Sequence, residues 1–591
     1  MSASVRYHIA AADPAAHLFE VRCTVARPAP AGQVFRLPSW LRGSYLVRDF
    51  AKHVVDVSAE CAGQPVAIER LDKRSLRCAP VPGTLTLRTR VYAYDDSVRK
   101  AYLDASRGFF NASSLCYCPD GCADGPMEVE LARRDGWQVA TTLPALDTDA
   151  DGFGVYRAAD YEELLDHPVE MAAFLRIGFD VDGIPHSFIL SGRCDDLDAS
   201  RLTRDAQKIC AAQRALFGNE PKMERYLFLT RVVAAGYGGL EHRTSTALIC
   251  SRGDLPRRAQ PALSREYRGF LGLVSHEYFH LWNVKRITAQ KFAESDLGAE
   301  AYTRDLWHYE GITSYYDDLM LLRAGVIDAP AYLDLVAENA TRLWRSPGRH
   351  LHSLADASFE TWIKYYQPDE NANNATTSYY VKGALLALCL DLHLRRHSTI
   401  TLDEVMRALW TRYGAPGQPA PEGALEAVAA ELSGLPLQEF FDRGVRSTQD
   451  PPFAETLAEF GVLAQPRAAV NDADGGGRNG GTAPAAQLGL KLKPGETVVA
   501  QVRAGGPAQR AGISPGDQLV ALDGLRLSAA NWSTRSQTLH PSRACRVEFF
   551  RGDELMRTQL QPEAPPADTW TLTLAEASGA TLERRRAWLG A

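Results

Sequence analysis

The hydrophobic pattern of this chain changes its period near residue 260, and that change limits the folds open to it. Before this point, short stretches of alternating apolar and polar residues recur between turn residues, which is typical of β-strands. After it, apolar residues recur every three or four positions over long stretches, which is typical of helices. The sequence therefore predicts a β-rich first part and a mainly helical middle.

The chain has 591 residues, which is too long for one hydrophobic core, so we expect a multidomain α+β protein. A polar, Gly-rich stretch (NDADGGGRNGGTAPAA) shows no hydrophobic period and is typical of a linker. The predicted segments are an N-terminal antiparallel β domain at 1–172, a mainly helical domain at 173–465 with a β subdomain up to about 252, a linker at 466–486, a small β-rich domain at 487–566, and a C-terminal tail at 567–591.

Charge and hydropathy exclude two classes of partner. The net charge of −7 argues against a nucleic-acid-binding protein, which normally presents a basic surface. The most apolar run, GALLALCL at 383–390, has the length of a buried helix, whereas a membrane-spanning helix needs ~20 apolar residues. The start of the chain lacks the basic segment and apolar run of a signal peptide, so we expect a cytoplasmic location and no membrane partner.

Eleven cysteines are scattered along the chain, and without an export signal they are expected to be free thiols. Three of them lie together in LCYCPDGC, namely Cys116, Cys118 and Cys122. A soft-metal site is one interpretation of this cluster. The spacing differs from the paired CxxC of zinc ribbons, so ordinary buried or loop thiols are the preferred interpretation.

The stretch LVSHEYFHLWNVKRI at 273–287 contains the best candidate for chemistry. In a helix, residues four apart differ by only about 40° around the axis, so His276 and His280 can bind one metal ion. Glu277 lies to one side of that face and can take a proton from a water that zinc has activated. The alternative is a pair of core histidines on an apolar helix.

A catalytic zinc site needs a third protein ligand and an open position for water. The pattern H-E-x-x-H-x-x-G-x-x-H is absent, so a carboxylate from a second helix is expected. Glu310, in LWHYEGITSYYDDL, is the best candidate, and the glycine after it permits close helix packing. Three aspartates on the same predicted helix are competing candidates, namely Asp305, Asp317 and Asp318.

Several motifs, in order along the chain, resemble the glycyl aminopeptidase family of zinc metallopeptidases that carry a PDZ domain. They include LPSWLRGSYLVRDFAKHV, SHEYFHLWNVKRI, HYEGITSYYDDL and SYYVKGALLAL, and together they span nearly the whole chain. The family is distantly related to aminopeptidase N. The resemblance implies a thermolysin-like, mainly helical zinc-peptidase domain in which His276, His280 and Glu310 bind Zn²⁺ and Glu277 is the general base.

The resemblance also assigns a tyrosine that could donate a proton. Tyr380, in YVKG, matches the tyrosine of the Y-x-K-G motif of the aminopeptidase N relatives. A phenol at that position would stabilise the oxyanion that forms when water attacks a peptide carbonyl. Tyr379 takes this role if the register is shifted by one residue.

Upstream, GYGGLEHRTST resembles the G-x-M-E-N motif with which those relatives bind a substrate. Glu241 then holds the α-ammonium of the substrate, and Gly238 and Gly239 let a peptide backbone come close. Leu240 replaces the methionine of the motif and His242 replaces its asparagine.

Near the C-terminus, GGPAQRAGISPGDQLVALDG resembles the central part of a PDZ domain, with Gly516 and Asp517 in the turn before a strand. The loop that would bind a carboxylate is Leu488-Gly489-Leu490, a loose version of the usual motif. Binding of a peptide or protein C-terminus, and a structural or gating role, both remain open.

The function that follows is a zinc-dependent aminopeptidase acting on peptides, and the resemblance implies a preference for a first residue such as Gly or Ala. Two alternatives remain open. The altered residues around Glu241 permit a broader zinc endopeptidase. The alternative outside enzymes is a non-catalytic, PDZ-containing peptide-binding protein. The candidate general base and proton donor argue against it, because a non-catalytic protein needs neither.

Overall fold

The computed structural model describes residues 5–218, 221–478 and 480–590. Two compact units are present, the first comprising Met1–Tyr302 with Trp410–Pro421, and the second comprising Thr303–Leu409 with Glu422–Ala591. The predicted α+β class, with a β-rich first part, a mainly helical middle and a β-rich C-terminal region, is confirmed. The domain boundaries themselves stay a prediction.

The first unit begins with a β domain built from three sheets. Its largest sheet has the order β14-β15-β12-β1-β2-β8-β4-β5, and only the β1–β12 pair in it is parallel among the strand pairs that the structure describes. Alternate residues of β1 are buried, as the period-2 pattern predicts. The strands are β1 (Val5–Asp13), β2 (Leu18–Val25), β3 (Gln33–Arg36), β4 (Val54–Cys61), β5 (Gln64–Pro65), β6 (Ile68–Arg70), β7 (Ser75–Cys78), β8 (Leu85–Tyr92), β9 (Ala101–Leu103), β10 (Arg107–Phe110), β11 (Cys118–Pro119), β12 (Met127–Leu131), β13 (Gln138–Ala140), β14 (Ala145–Thr148), β15 (Gly154–Ala158) and β16 (Val169–Ala172), and the helix is α1 (Tyr161–Leu165).

A five-stranded mixed sheet follows in the same unit, with the order β17-β18-β19-β21-β20, so β20 lies at its edge. Leu229, Leu240 and Ala247 of this sheet belong to the same hydrophobic core as the first β domain. The elements are β17 (Leu175–Val181), β18 (Ile184–Ser191), α2 (Ala199–Phe217), β19 (Tyr226–Val233), β20 (Tyr237–Glu241), β21 (Ser245–Ser251), α3 (Arg265–Phe279), α4 (Gln290–Ala293) and a π-helical turn at Trp410–Gly414.

The second unit begins with a helical region. Its central helix buries the whole run 383–390, as the hydropathy of this run predicts. Ser378 caps the start of this helix, and its side chain accepts a hydrogen bond from the Val381 N–H. A π-helical turn at Trp307–Gly311 precedes the first helix. The helices are α5 (Ile312–Arg323), α6 (Ala329–Trp344), α7 (Leu354–Phe359), α8 (Ala372–Ala375), α9 (Tyr379–His397), α10 (Leu402–Leu409), α11 (Ala424–Ser433), α12 (Gln438–Gly444) and α13 (Phe453–Ala458).

The C-terminal part of the second unit has a small hydrophobic core of its own, which includes Val499, Leu519 and Val547. Gly516 has a φ of 88°, and the strand that the sequence predicts after Gly516-Asp517 begins at Gln518. The elements are β22 (Val462–Arg467), β23 (Leu490–Leu492), β24 (Val499–Val502), α14 (Pro507–Arg510), β25 (Gln518–Leu522), β26 (Leu525–Arg526), α15 (Trp532–Ser536), β27 (Cys545–Arg551), β28 (Glu554–Leu560), β29 (Thr569–Leu574) and α16 (Gly579–Leu589).

Parts of the predicted linker and tail are packed against their surroundings. Strand β29 of the tail pairs antiparallel with β22, and the Trp570 N–H donates to Thr341 Oγ1 at 2.8 Å. Asp474 of the linker is 2% exposed and forms an ion pair with Arg467. The Gly-rich composition of this stretch therefore does not predict its contacts with the rest of the unit.

No helix among the described residues is long and apolar enough to cross a membrane.

Candidate active site

His276 and His280 lie at the C-terminal end of α3, one helical turn apart. Their ring centroids are 4.6 Å apart, and the His280 N–H donates to the His276 carbonyl at 3.2 Å. Nδ1 of His280 lies 2.7 Å from the Asn283 carbonyl oxygen, which can only accept a hydrogen bond. The proton is therefore on Nδ1 and the lone pair on Nε2, the tautomer that suits a metal ligand.

Glu310 lies in the π-helical turn before α5 and is 2% exposed. His276, His280 and Glu310 each offer one ligand atom, and these atoms lie within 4.8 Å of one another. Two imidazoles and one carboxylate are a donor set that zinc uses in catalytic sites, with bond lengths of ~2.0–2.2 Å. The three residues therefore fit a zinc ion.

The competing aspartates Asp305, Asp317 and Asp318 are outside this group, which is the one group of possible metal ligands that the described part of the chain contains. Asp305 has another partner, because its Oδ2 accepts the Gly423 N–H at 2.7 Å. Burial raises the pKa of Asp305 to about 7. Its carboxyl is therefore protonated in the folded protein at mildly acidic pH, although it ionises freely when the chain unfolds.

We expect Asp305→Asn to change the pH dependence of stability. Because the folded-state pKa lies above the usual value, the wild-type free energy of unfolding should fall as pH rises towards 7. Between pH 5 and pH 8 the ionisation of Asp305 should lower the free energy of unfolding of the wild type by about 2–3 kcal/mol. The variant should not show this decrease. Urea unfolding of both proteins at the two pH values measures their free energies of unfolding. If the difference between wild type and variant were the same at pH 5 and pH 8, the expectation would be contradicted.

Gly311, the residue after Glu310, packs against the backbone of helix α9. A Cβ on Gly311 would lie 2.7 Å from the Gly383 Cα and 2.8 Å from the Tyr379 carbonyl oxygen. The close helix packing predicted from this glycine is therefore confirmed, and it fixes the turn that carries Glu310 against the start of α9.

We expect Gly311→Ala to destabilise the protein by about 3 kcal/mol or more, since the added methyl meets backbone atoms that cannot move aside. Thermal unfolding measures the effect. The matched control is Gly269→Ala in α3, where nothing lies within 4 Å of the added methyl, so that helix should be slightly stabilised. Equal melting temperatures for the two variants would contradict the expectation.

The structure distinguishes the two candidate tyrosines at the start of α9. Tyr379 is fully buried, and its hydroxyl lies 2.8 Å from Thr361 Oγ1. Tyr380 stacks on Tyr365, with centroids 5.4 Å apart. Burial, reinforced by the charge of Glu310, raises the pKa of Tyr380 well above its usual value, so its hydroxyl stays protonated and can donate.

Glu277 is 5% exposed and lies against the edge strand β20. A Cβ on Gly239 would overlap the Glu277 carboxylate, so any larger residue there would displace this carboxylate from its position. Thr246 Oγ1 donates to the Leu240 carbonyl oxygen at 3.0 Å and lies 3.4 Å from Glu277 Oε2. Arg99 Nη2 donates to the Gly239 carbonyl oxygen at 2.9 Å. No sequence pattern points to Arg99, which lies in a loop of the β domain.

Glu241, at the end of β20, is 3% exposed, and its Oε1 has no hydrogen-bond partner among the described residues. A buried carboxylate oxygen without a donor suits a cationic ligand. The carboxylate borders a cavity of about 880 Å³, together with Gly43 and Tyr45. A Cβ on Gly43 would overlap the Glu241 carboxylate, a constraint that local sequence patterns do not reveal.

The cysteine cluster shows no sign of a metal site. Cys116, Cys118 and Cys122 are free thiols, and they belong to no group of possible metal ligands within the described ranges. Burial raises the pKa of Cys118 to about 12. The thiols are therefore protonated at neutral pH in the metal-free protein.

Comparison with known proteins gives three family matches. Residues 6–173 match the Peptidase M61 N-terminal domain, residues 269–386 match M61 glycyl aminopeptidase, and residues 498–534 match a PDZ domain. No curated protein matches the chain.

Among solved structures, the chain is similar to an aminopeptidase N family protein from Idiomarina loihiensis. The two are 36% identical with a TM-score of 0.95, over 99% of this chain and 100% of that chain. A weaker likeness is to an M1 zinc metallopeptidase from Deinococcus radiodurans, at 15% identity and a TM-score of 0.49 over 76% of this chain and 94% of that chain.

The peptidase fold and the grouped His276, His280 and Glu310 define the class of this protein, a metallopeptidase. The matches along its length then identify the family. The chain belongs to the M61 glycyl aminopeptidase family.

Proposed function

We propose that this protein is a zinc-dependent aminopeptidase that removes the first residue of peptides. The grouping of His276, His280 and Glu310 ligand atoms within 4.8 Å of one another carries this proposal. These three residues would hold the zinc. When bound, the ion supplies the Lewis acidity that polarises a peptide carbonyl and makes water acidic near neutral pH.

In this proposal Glu277 is the general base. It accepts a proton from the attacking water and delivers it to the leaving amine. Its position against Gly239 supports the assignment, because the missing side chain leaves room for the carboxylate beside the edge strand. Tyr380 donates from its protonated hydroxyl to the oxygen that gains charge during the attack.

Glu241 positions the substrate by its amino end. Its unpartnered, buried Oε1 supports this role, since an α-ammonium supplies the missing donors and the opposite charge. The edge position of β20 supports pairing of the peptide backbone with Gly238 and Gly239. We further propose a preference for Gly or Ala as first residue, which the family name supports, and a peptide C-terminus as ligand of the PDZ domain.

The deciding experiment is hydrolysis of glycyl and alanyl p-nitroanilides, with and without a chelator. We expect turnover that the chelator abolishes and added Zn²⁺ restores. Leucyl and phenylalanyl p-nitroanilides test the proposed preference for a small first residue. Turnover that survives complete zinc removal would exclude the proposed mechanism.

We expect Glu241→Gln to lower kcat/KM for alanyl p-nitroanilide by roughly 10–100-fold, the value of one charge-assisted hydrogen bond. Glutamine keeps the shape of the side chain but loses its charge. N-acetylated peptides, which lack the ammonium, should be cleaved poorly by both proteins. If the wild type cleaved acetylated and free peptides equally well, the broader endopeptidase would replace this proposal.

A further inference from the structure

Strand β20 leaves one edge of its sheet free, and the alternation of the ladder decides which of its backbone groups face that edge. The His242 N–H donates to the Ser245 carbonyl oxygen at 2.9 Å, so the backbone of His242 faces β21. Successive residues of a strand face opposite edges, and Gly239 lies three residues earlier in a register without a bulge. The N–H and the carbonyl oxygen of Gly239 therefore face the free edge, where the proposed function places the substrate backbone.

Arg99 brings a guanidinium group to this free edge from a loop of the β domain. Its Nη2 donates to the Gly239 carbonyl oxygen at 2.9 Å. Its Nη1 lies beside Gly238, 3.7 Å from the position that a Cβ would take there. Within the described ranges Nη1 makes no hydrogen bond to the protein, and the buried Nε has no partner either. The guanidinium therefore keeps N–H donors that the fold does not use.

The acidic side chains closest to Arg99 in sequence have other partners. Asp95 pairs with Lys100 at 2.7 Å. Asp96 pairs with Arg107 at 3.1 Å. In the part of the chain that the structure describes, no carboxylate lies within ion-pair distance of Arg99. A cation without an ion-pair partner at the edge of a substrate-binding strand suits an anionic group of the substrate.

We propose that Arg99 binds the C-terminal carboxylate of a dipeptide substrate. This inference rests on the proposed function, in which Glu241 holds the ammonium of the same molecule. Gly239 and Glu241 are two residues apart on β20, and a strand rises by ~3.4 Å per residue. A dipeptide has a matching length, because each of its residues spans at most ~3.6 Å. Its one peptide bond then lies between the two charged groups, and the proposed base Glu277 lies against Gly239.

The same geometry implies a preference for short substrates. In a tetrapeptide the terminal carboxylate lies two residues, or about 7 Å, beyond its position in a dipeptide. The group beside Arg99 is then a neutral peptide carbonyl, which a guanidinium binds less strongly than a carboxylate. Tyr237, the first residue of β20, is exposed, so longer peptides have room to extend past Arg99 without this contact.

The test compares alanylalanine with alanylalaninamide, which share a small first residue and differ in the charge of the C-terminal group. For the wild type we expect kcat/KM to be about tenfold higher for the free acid, as a charge-assisted hydrogen bond implies. In Arg99→Met this ratio should fall to one or below. Arg27→Met, which replaces an exposed arginine of the same domain, should keep the wild-type ratio. For tetraalanine and its amide the wild-type ratio should be near one.

A wild-type dipeptide ratio at or below one would overturn the proposal. An equal loss of activity on the acid and the amide in Arg99→Met would also overturn it, because Arg99 would then only support the Gly239 carbonyl. A ratio as large for tetraalanine as for alanylalanine would place the carboxylate elsewhere and contradict the proposal. If Arg99→Met fails to fold, Arg99→Gln gives the same test, since glutamine keeps a donor for that carbonyl but carries no charge.

A further substrate separates the terminal carboxylate from a side-chain carboxylate. Alanyl-aspartic acid α-amide has a blocked C-terminus and carries its negative charge on the second side chain. We expect the wild type to cleave it no faster than alanylalaninamide. Faster cleavage that Arg99→Met abolishes would assign Arg99 to the side chain of the second residue and contradict the proposal.

Failure of the proposed function is recognised separately, because neither the dipeptides nor the anilides would then be hydrolysed. In that case calorimetry measures the binding of intact alanylalanine and alanylalaninamide to the full chain. We expect about tenfold tighter binding of the acid, and loss of this difference in Arg99→Met. Equal wild-type affinities for the two dipeptides would overturn the proposal.

Discussion

Replacement of Glu277 by glutamine should lower kcat by about a thousandfold, within the ~10²–10⁴-fold range of general acid–base catalysis. Glutamine keeps the size of the side chain, and its amide cannot take the proton of the attacking water. The zinc content should stay at the wild-type level, because Glu277 is not among the grouped ligand residues. Steady-state turnover of alanyl p-nitroanilide and metal analysis of the same samples measure the two effects.

Glu266→Gln is the matched control, since this exposed residue lies on the first turn of the same helix, α3. It should turn over substrate as the wild type does. Rapid hydrolysis by Glu277→Gln would show that Glu277 is not the general base. Loss of zinc together with activity would also contradict the expectation, since it would place Glu277 among the metal ligands.

The sequence predicts the parts of this site that depend on local periodicity. The four-residue spacing of His276 and His280 fixes them one helical turn apart in any helix. The structure places His276 on the last turn of α3 and His280 directly after it, as the C-cap. Gly311 directly after Glu310 predicts a close approach of two helices, and the approach to Gly383 confirms it. The helical period does not predict the π-helical turn at Trp307–Gly311, because one inserted residue changes it little.

The rest of the site is brought together by the fold over long distances in sequence. Arg99 donates to the carbonyl oxygen of Gly239 from a loop of the β domain, and Gly43 lies against the carboxylate of Glu241 from another loop. Single arginines and glycines are common, so neither pattern nor composition marks them.

Replacement of Glu310 by alanine should weaken zinc binding by more than about 100-fold, since loss even of a residue that only supports a ligand costs ~10–100-fold. Activity should be lost in parallel and return in part at high zinc concentration. Chelator competition measures the affinity, and turnover measured along the same zinc titration links the two.

Asp318→Ala is the control for Glu310→Ala, because Asp318 is a competing carboxylate on α5 that lies outside the ligand group. Asp318→Ala should keep its zinc and its activity. Full zinc occupancy in Glu310→Ala would mean that another residue is the third zinc ligand. The comparison also separates ligation from packing. Gly311→Ala should move the same turn without removing a donor, so it should lower stability while a metal added in excess still binds. Zinc affinity that fell equally in Gly311→Ala and Glu310→Ala would mean that the position of the turn, rather than the carboxylate itself, limits metal binding.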